Sequence, residues 1–302
     1  MIQSFEEIKD MLKSVEKKRR IAVVSAHDEH TLDAVVMAAK AGLISPVLLG
    51  KNNEICRLLQ ELDCPESYVI IEDIEDSVSA ALHAAELARE CKIDGIMKGK
   101  IETGTLMKVI VNRETGIRKR DTMSLLGFVE SPYYHKIFGI TDIGLLTYPS
   151  LVQKKEAIEN AAEAFRSLGI SNPKIAVLSA VEKLNPKMPD TVDAEAIKTM
   201  STTGEITNCQ IEGPISYDLA MDKESAAIKE YISPVAGDAD ILAVPDIVSG
   251  NILMKSLSFT GGAKTAGVVL GAKVPLVITS RSSPVEDKYI SILLSALIGN
   301  GN

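Results

Sequence analysis

Short apolar runs alternate with helix-period segments along this chain, and that alternation restricts the fold more than any other feature. Residues 21–24, 46–50, 68–71 and 93–97 read as buried strands, and residues 28–41, 52–62 and 77–91 carry helical spacing between them. Strands separated by helices join through crossovers, which makes the sheet parallel and puts helices on both of its faces. A further helix is expected over 4–18, capped by Ser4, with Phe5, Ile8, Met11, Leu12 and Val15 on one face. The basic run 17–20 ends it as a solvated face.

Residues 113–150 change character. Apolar runs at 125–129 and 137–140 lie close together with polar ends, which predicts a hairpin, and His135 beside them reads as a surface or core histidine. The rhythm restarts after Pro149, with helices at 152–168, 191–203 and 249–258 and strands at 175–178, 209–218 (strand plus turn) and 240–246, residues 218–220 and 225–232 completing the lobe. The restart marks the best internal boundary.

Composition narrows the function. Hydrophobic residues make up 46% and aromatics 4%, so a core of Ala, Val, Ile, Leu and Met is available. The formal charge of −8 argues against general nucleic-acid binding, which needs a basic face. Four scattered cysteines without a C-x-x-C pair, and scarce histidine, argue against a zinc site or a disulfide framework. The first twenty residues lack a signal peptide's apolar stretch, and no segment approaches the ~18 apolar residues of a membrane span, so a cytoplasmic protein is expected.

Two strand–helix junctions carry chemistry. Residues 274–279 form a strand that delivers Ser280, Arg281, Ser282 and Ser283 to its carboxyl end. Pro284 suits a first helical turn, and Ser283 with Glu286 has the spacing of a capping box. Ligands in open α/β sheets bind beyond the carboxyl ends of strands, where helix N-termini meet anions. Arg281 adds a charged fork, and Asp287 is placed to act as a base. Read alone, this is equally a junction with an ordinary cap and a surface arginine. The second junction is 98–108: Gly99 follows a strand, Thr103, Gly104 and Thr105 open a helix, and Lys98, Lys100 and Lys108 flank it. It is not a Walker A loop, since Thr105 stands where that motif has Lys. It reads as an anion site or as a plain loop with surface lysines.

Four pieces stand in fixed order: Lys98-Gly99 with Thr105-Leu106; 213–220, GPISYDLA; 244–252, VPDIVSGNI, with Lys255; and 280–287, SRSSPVED. Together they resemble the phosphate acetyltransferase/phosphate butyryltransferase family over nearly the whole chain, with the segment 97–107 and the compact length closer to the butyryl branch. The resemblance implies the reaction acyl-CoA + phosphate ⇌ acyl phosphate + CoA. It implies a two-domain α/β/α sandwich with parallel sheets, like isocitrate and isopropylmalate dehydrogenases, and an active site in the interdomain cleft. Residues 1–148 with 268–302 would form a discontinuous first domain, and 149–267 the second. Acyl-CoA and phosphate are the implied partners, in a homodimer or higher homo-oligomer. No resident cofactor or metal is implied, coenzyme A being a substrate.

By the same resemblance Asp287 is the base that activates the CoA thiol; by their chemistry Arg281 suits the oxyanion, and Ser280 would hydrogen-bond the developing charge or the thioester carbonyl. Phosphate would sit where Lys98, Gly99 and Thr103–Thr105 meet Gly250 and Asn251, with Lys108, Asp218, Asp246 and Lys255 also binding substrate. The acetyltransferases carry an arginine after their Thr-Leu pair, where this chain has Met107 and then Lys108. That departure leaves room for a larger acyl chain. The alternatives are an acetyl-CoA preference, a nicotinamide-dependent dehydrogenase of the related fold, and a non-catalytic acyl-CoA or phosphate sensor.

Overall fold

The computed structural model describes residues 2–279 and 283–299. The chain divides into two compact units, one of Phe5–Asp121 with Ala266–Asn302 and one of Met1–Ser4 with Thr122–Thr265. The first is called the terminal unit below, the second the central unit. The division falls at 121/122 and 265/266, whereas the sequence rhythm marked a boundary near 150 and the family resemblance implied 148/149 and 267/268. The predicted hairpin explains the difference, because its strands pair into the sheet of the central unit.

In the terminal unit α1 (Phe5–Lys13) leads to β1 (Arg19–Val24), α2 (Glu29–Lys40), β2 (Ile44–Gly50), α3 (Asn52–Glu61), β3 (Ile70–Asp73), α4 (Ser77–Arg89), β4 (Gly95–Lys98) and α5 (Thr103–Ile110). The central unit follows with β5 (Ser124–Glu130), β6 (Phe138–Thr141), α6 (Leu151–Ser167), β7 (Lys174–Leu178), α7 (Pro189–Thr202), β8 (Gln210–Ile215), α8 (Tyr217–Met221), α9 (Lys223–Ile228), β9 (Ile241–Ala243) and α10 (Ile247–Phe259). The chain closes with β10 (Lys264–Leu270), β11 (Leu276–Val277) and α11 (Val285–Ile298).

The terminal unit has strand order β3-β2-β1-β4-β11-β10, parallel except where β10 runs antiparallel to β11. The right-handed crossover rule puts α2 and α3 on one face and α4, which returns the chain across the sheet, on the other. In agreement, α2 packs on α11 while α4 packs on α5. The connections therefore diverge between β1 and β4, which is the position where doubly wound sheets bind ligands.

The central unit has order β5-β6-β9-β7-β8, with β5 and β6 antiparallel and the rest parallel. Strand periodicity sorts its side chains. Phe138, Ile140, Ala176, Leu178, Leu242 and Val244 join a buried cluster that Leu253, Met254 and Leu257 of α10 cover. The alternate residues face the other way. A Cβ on Gly139 would come within 2.9 Å of the Phe165 ring of α6, so glycine there lets the helix lie close. The fold is α/β, built on parallel-dominated sheets.

Several local expectations are corrected. The first helix ends at Lys13, not at 18, where the Ser14 hydroxyl donates to the Met11 carbonyl at 2.6 Å. Arg19 and Arg20 of the basic run open β1, and the Arg20 N–H donates to Asp94 at 2.8 Å. Residues 66–68 form a 3-10 turn after Pro65, which pushes β3 to Ile70–Asp73. The segment Lys264–Leu270, assigned no element from sequence, is β10.

Candidate active site

In the terminal unit, Lys98 is the last residue of β4, at the β1/β4 divergence. Its side chain is 9% exposed, and Nζ donates to the Gly99 carbonyl at 3.3 Å. The turn that follows is stitched to the end of β1: Gly99 N donates to Val24 O and Lys100 N to Ser25 O, each at 2.9 Å. A Cβ at 99 would lie 2.7 Å from the Val24 oxygen and overlap the Ser25 oxygen. Glycine is thus required by the neighbouring backbone, a reason the sequence motif does not reveal.

Thr103 and Thr105 open α5. The N-cap position belongs to Glu102, whose side chain makes no capping hydrogen bond to the helix. A Cβ on Gly104 would meet nothing within 4 Å, so this first turn faces open space. An N-terminal turn of that kind has its positive end directed outward. Lys108 lies in the last turn of the same helix and, at five residues from Thr103, about 140° around its axis. It is placed to complement the negative end of the helix.

Asp287 sits half-buried in the first turn of α11, where the Ser291 hydroxyl ties the second turn to the Asp287 carbonyl at 2.6 Å. The expected capping box is not formed. The N-cap is Pro284, with φ −52° and ψ 151°, and it makes no side-chain capping hydrogen bond. Proline at the N-cap moves the helix start one residue beyond the sequence expectation. Ser280 and Arg281 lie outside the described residues.

In the central unit, β9 ends at Ala243, and Asp246 starts α10. The Asp246 carboxylate accepts from Ser249 N at 2.8 Å and from Ser249 Oγ at 3.0 Å, closing a capping box. A Cβ on Gly250 would lie 2.5 Å from the Asp142 carbonyl oxygen, so that glycine permits α10 to approach the loop after β6. Asn251 is exposed, and its Nδ2 donates to the Ile143 carbonyl at 3.3 Å. Lys255 is exposed one turn on. Asp246 caps α10, and Gly250, Asn251 and Lys255 lie along its first three turns.

Asp218 follows β8 on α8, apart from that turn in the chain. Lys229 Nζ lies 3.0 Å from Asp218 and 3.2 Å from Glu182, and the Ser216 hydroxyl donates to Glu182 at 2.6 Å. The Ser216 hydroxyl and the Lys229 ammonium hold the Asp218 carboxyl below its ordinary value. His135 pairs with Asp238 at 2.8 Å beside Lys136 and Lys174, in a structural ion cluster.

One residue of the β1/β4 region escaped the sequence reading. His27 follows β1, is 8% exposed and has a buried Nδ1 that makes no hydrogen bond. Burial pushes its pKa down from the ordinary value. Its position at the carboxyl end of a strand was the available signal.

Residues 68–296 match the family described as phosphate acetyl/butaryl transferase. The chain is 38% identical to the phosphate butyryltransferase of Clostridium acetobutylicum over 298 residues, covering 99% of both chains. It is 39% identical to the phosphate acetyltransferase of Thermotoga maritima over 291 residues, covering 93% of this chain and 95% of that one. Among solved structures, a branched-chain phosphotransacylase from Enterococcus faecalis superposes with TM-score 0.83 at 32% identity, covering 93% of this chain and 99% of the other. Among the described residues no helix is long and apolar enough to cross a membrane. Sequence and fold agree that this chain belongs to the phosphate acetyl/butyryl transferase family, the phosphotransacylases.

Proposed function

We propose that this phosphotransacylase works on butyryl-CoA or a branched short-chain acyl-CoA, transferring the acyl group to inorganic phosphate. Phosphate oxygen attacks the thioester carbonyl carbon, a tetrahedral intermediate forms, and the C–S bond breaks to release CoA. In the reverse direction the CoA thiol loses its proton to Asp287, the thiolate attacks the acyl phosphate carbonyl, and the bond to phosphate breaks. Arg281 and Ser280 are assigned to the oxyanion by their chemistry.

The observation that carries the anion-binding part is the Lys98–Thr105 turn. It combines a lysine, a backbone-fitted glycine and a helix start not capped by the Glu102 side chain at the divergence of β1 and β4. The butyryl preference is supported by the full-length match to the Clostridium enzyme and by the branched-chain transacylase fold. A preference for acetyl-CoA is the second reading, favoured by the equally high identity to the Thermotoga acetyltransferase.

Thiol release measured on acetyl-, butyryl- and isobutyryl-CoA, with and without phosphate, tests the proposal. Phosphate-dependent release, fastest with a four-carbon chain, is expected. Release fastest with acetyl-CoA selects the second reading. No release, with nicotinamide reduction at 340 nm on hydroxy acids instead, overturns both.

A further inference from the structure

His27 has no task in the reaction as described, yet it stands at the carboxyl ends of the terminal unit's strands. Its ring lies over the end of β2: a Cβ on Gly50 would come 3.0 Å from the His27 Nδ1 and 3.4 Å from Ile55 Cδ1 of α3. No positive φ calls for glycine at 50, so the room it gives is room for the ring. Of the two ring nitrogens only Nδ1 is both buried and unpaired. An unmet buried polar atom costs stability that an apolar side chain of similar size would not lose. Departures of this kind from local rules are expected where a residue serves function. With Nδ1 spent against β2 and α3, the distal edge carrying Nε2 is the part of the ring left to meet a ligand.

The charged groups that act on the ring define what that ligand is. Asp28 is occupied in capping α2, accepting from Thr31 N at 3.0 Å, and Lys51 is paired with Glu54 at 3.0 Å. Lys100 is different: it is exposed, and among the described residues its ammonium takes part in no ion pair. Its backbone N–H donates to the Ser25 carbonyl at 2.9 Å, two residues before His27. Lysine and ring therefore share one corner, at the divergence of β1 and β4 where doubly wound sheets bind ligands. Burial lowers the His27 pKa, with Lys100 and Lys51 acting in the same direction and Glu54 and Asp28 against it. That favours the neutral ring, which carries a single N–H. With the proton on Nε2 the ring donates to an acceptor outside, and Nδ1 is the bare lone pair beside Ile55. One neutral donor next to one unpaired cation suits an oxyanion that accepts several hydrogen bonds, as a phosphate group does.

Resting on the acyl-transfer reading above, we infer that His27 and Lys100 together hold a phosphate group of the substrates, His27 through Nε2 and Lys100 through its ammonium. Inorganic phosphate is one source of such a group, and the phosphates of coenzyme A are the other. Both residues are substrate-binding residues, and neither takes part in proton transfer.

His27→Leu fills the ring's place without a polar atom, whereas His27→Gln puts an amide N–H near the Nε2 position. His27→Leu and Lys100→Met are each expected to raise one KM about tenfold, and His27→Gln to stay within about threefold of the parent. The KM that rises names the source. A rise for inorganic phosphate places that ion between the two residues. A rise for acyl-CoA places a CoA phosphate there, and it is the 3′-phosphate when the parent shows the same rise with the 3′-dephospho-CoA thioester. Thermal midpoints separate binding from packing: His27→Leu removes an unmet polar atom, so its midpoint is expected at or above the parent's. Unchanged KM values in His27→Leu and Lys100→Met overturn the assignment, and so does a lowered midpoint with an equal rise in both KM values that His27→Gln fails to restore. Calorimetric titration of inorganic phosphate and of CoA onto the parent and His27→Leu reads the same contact without turnover. A parent that binds both more tightly than does His27→Leu, but releases no thiol from any acyl-CoA, overturns acyl transfer and leaves this site standing.

Discussion

Gly99 and Ser25 are in backbone contact: the carbonyl oxygen of Ser25 occupies the space that a Cβ at 99 would need. The contact locks the β4–α5 turn to the end of β1, with Lys100 N bonded to Ser25 O at 2.9 Å. Gly99→Ala is therefore expected to destabilise the protein by about 1–3 kcal/mol through overpacking. Denaturant midpoints check it. The same change at Gly104, where a Cβ meets nothing within 4 Å, is expected to be neutral or mildly stabilising.

Lys98 is nine-tenths buried beside an outward-facing helix start. Lys98→Met keeps the length of the stem and removes the charge. If Lys98 serves phosphate, KM for phosphate rises about tenfold or more while KM for acyl-CoA moves less. Steady-state titration of each substrate separates the two, and an equal rise in both speaks for a structural role.

Asp246 caps α10 through Ser249. Asp246→Ala should cost about 1 kcal/mol in stability from the lost cap, and Asp246→Asn much less. A direct contact with substrate adds to this a loss of activity in the Asn variant, so comparing thermal midpoints with turnover distinguishes the two roles of this carboxylate.

The ion cluster around Asp238 sets acid sensitivity. Burial opposes the Asp238 charge, but hydrogen bonds from Lys174, Lys136 and His135 outweigh it and hold the carboxyl far below its ordinary value. A group whose folded pKa is depressed stabilises the protein above its unfolded pKa of about 3.9 and loses that contribution as pH falls further. Stability should therefore drop below about pH 4, and Asp238→Asn should flatten this part of the profile. The substitution should also cost about 3 kcal/mol near neutrality, the low end for a broken buried pair, because Asp240 remains 2.6 Å from Lys136. Urea melts between pH 3 and 7 read both effects.

The fold was legible because parallel α/β chains carry their topology in the strand–helix rhythm, and the pairing of β5 with β6 was announced by two closely spaced apolar runs. The missed β10 lies in a stretch with glycines at 261, 262 and 267, which read as turn rather than strand. The failed cap at Ser283 shows that spacing alone does not decide where a helix begins when the adjacent Pro284 takes the N-cap position itself. The Lys98–Thr105 turn was visible as a motif. The row of Thr141, Ala243 and Val177 was not, because it is made by lateral register among β6, β9 and β7, strands far apart in sequence.

The proposed reaction depends on Asp287 moving the thiol proton during acyl transfer. Its most direct test is single-turnover formation of butyryl-CoA from butyryl phosphate and CoA with the parent and with Asp287→Asn, across pH. The expected rate is about 10²–10⁴-fold lower in the variant, the range removed with a general base, and recovers as rising pH supplies thiolate from solution. A variant that turns over at the parent's rate, with the parent's pH dependence, would contradict it.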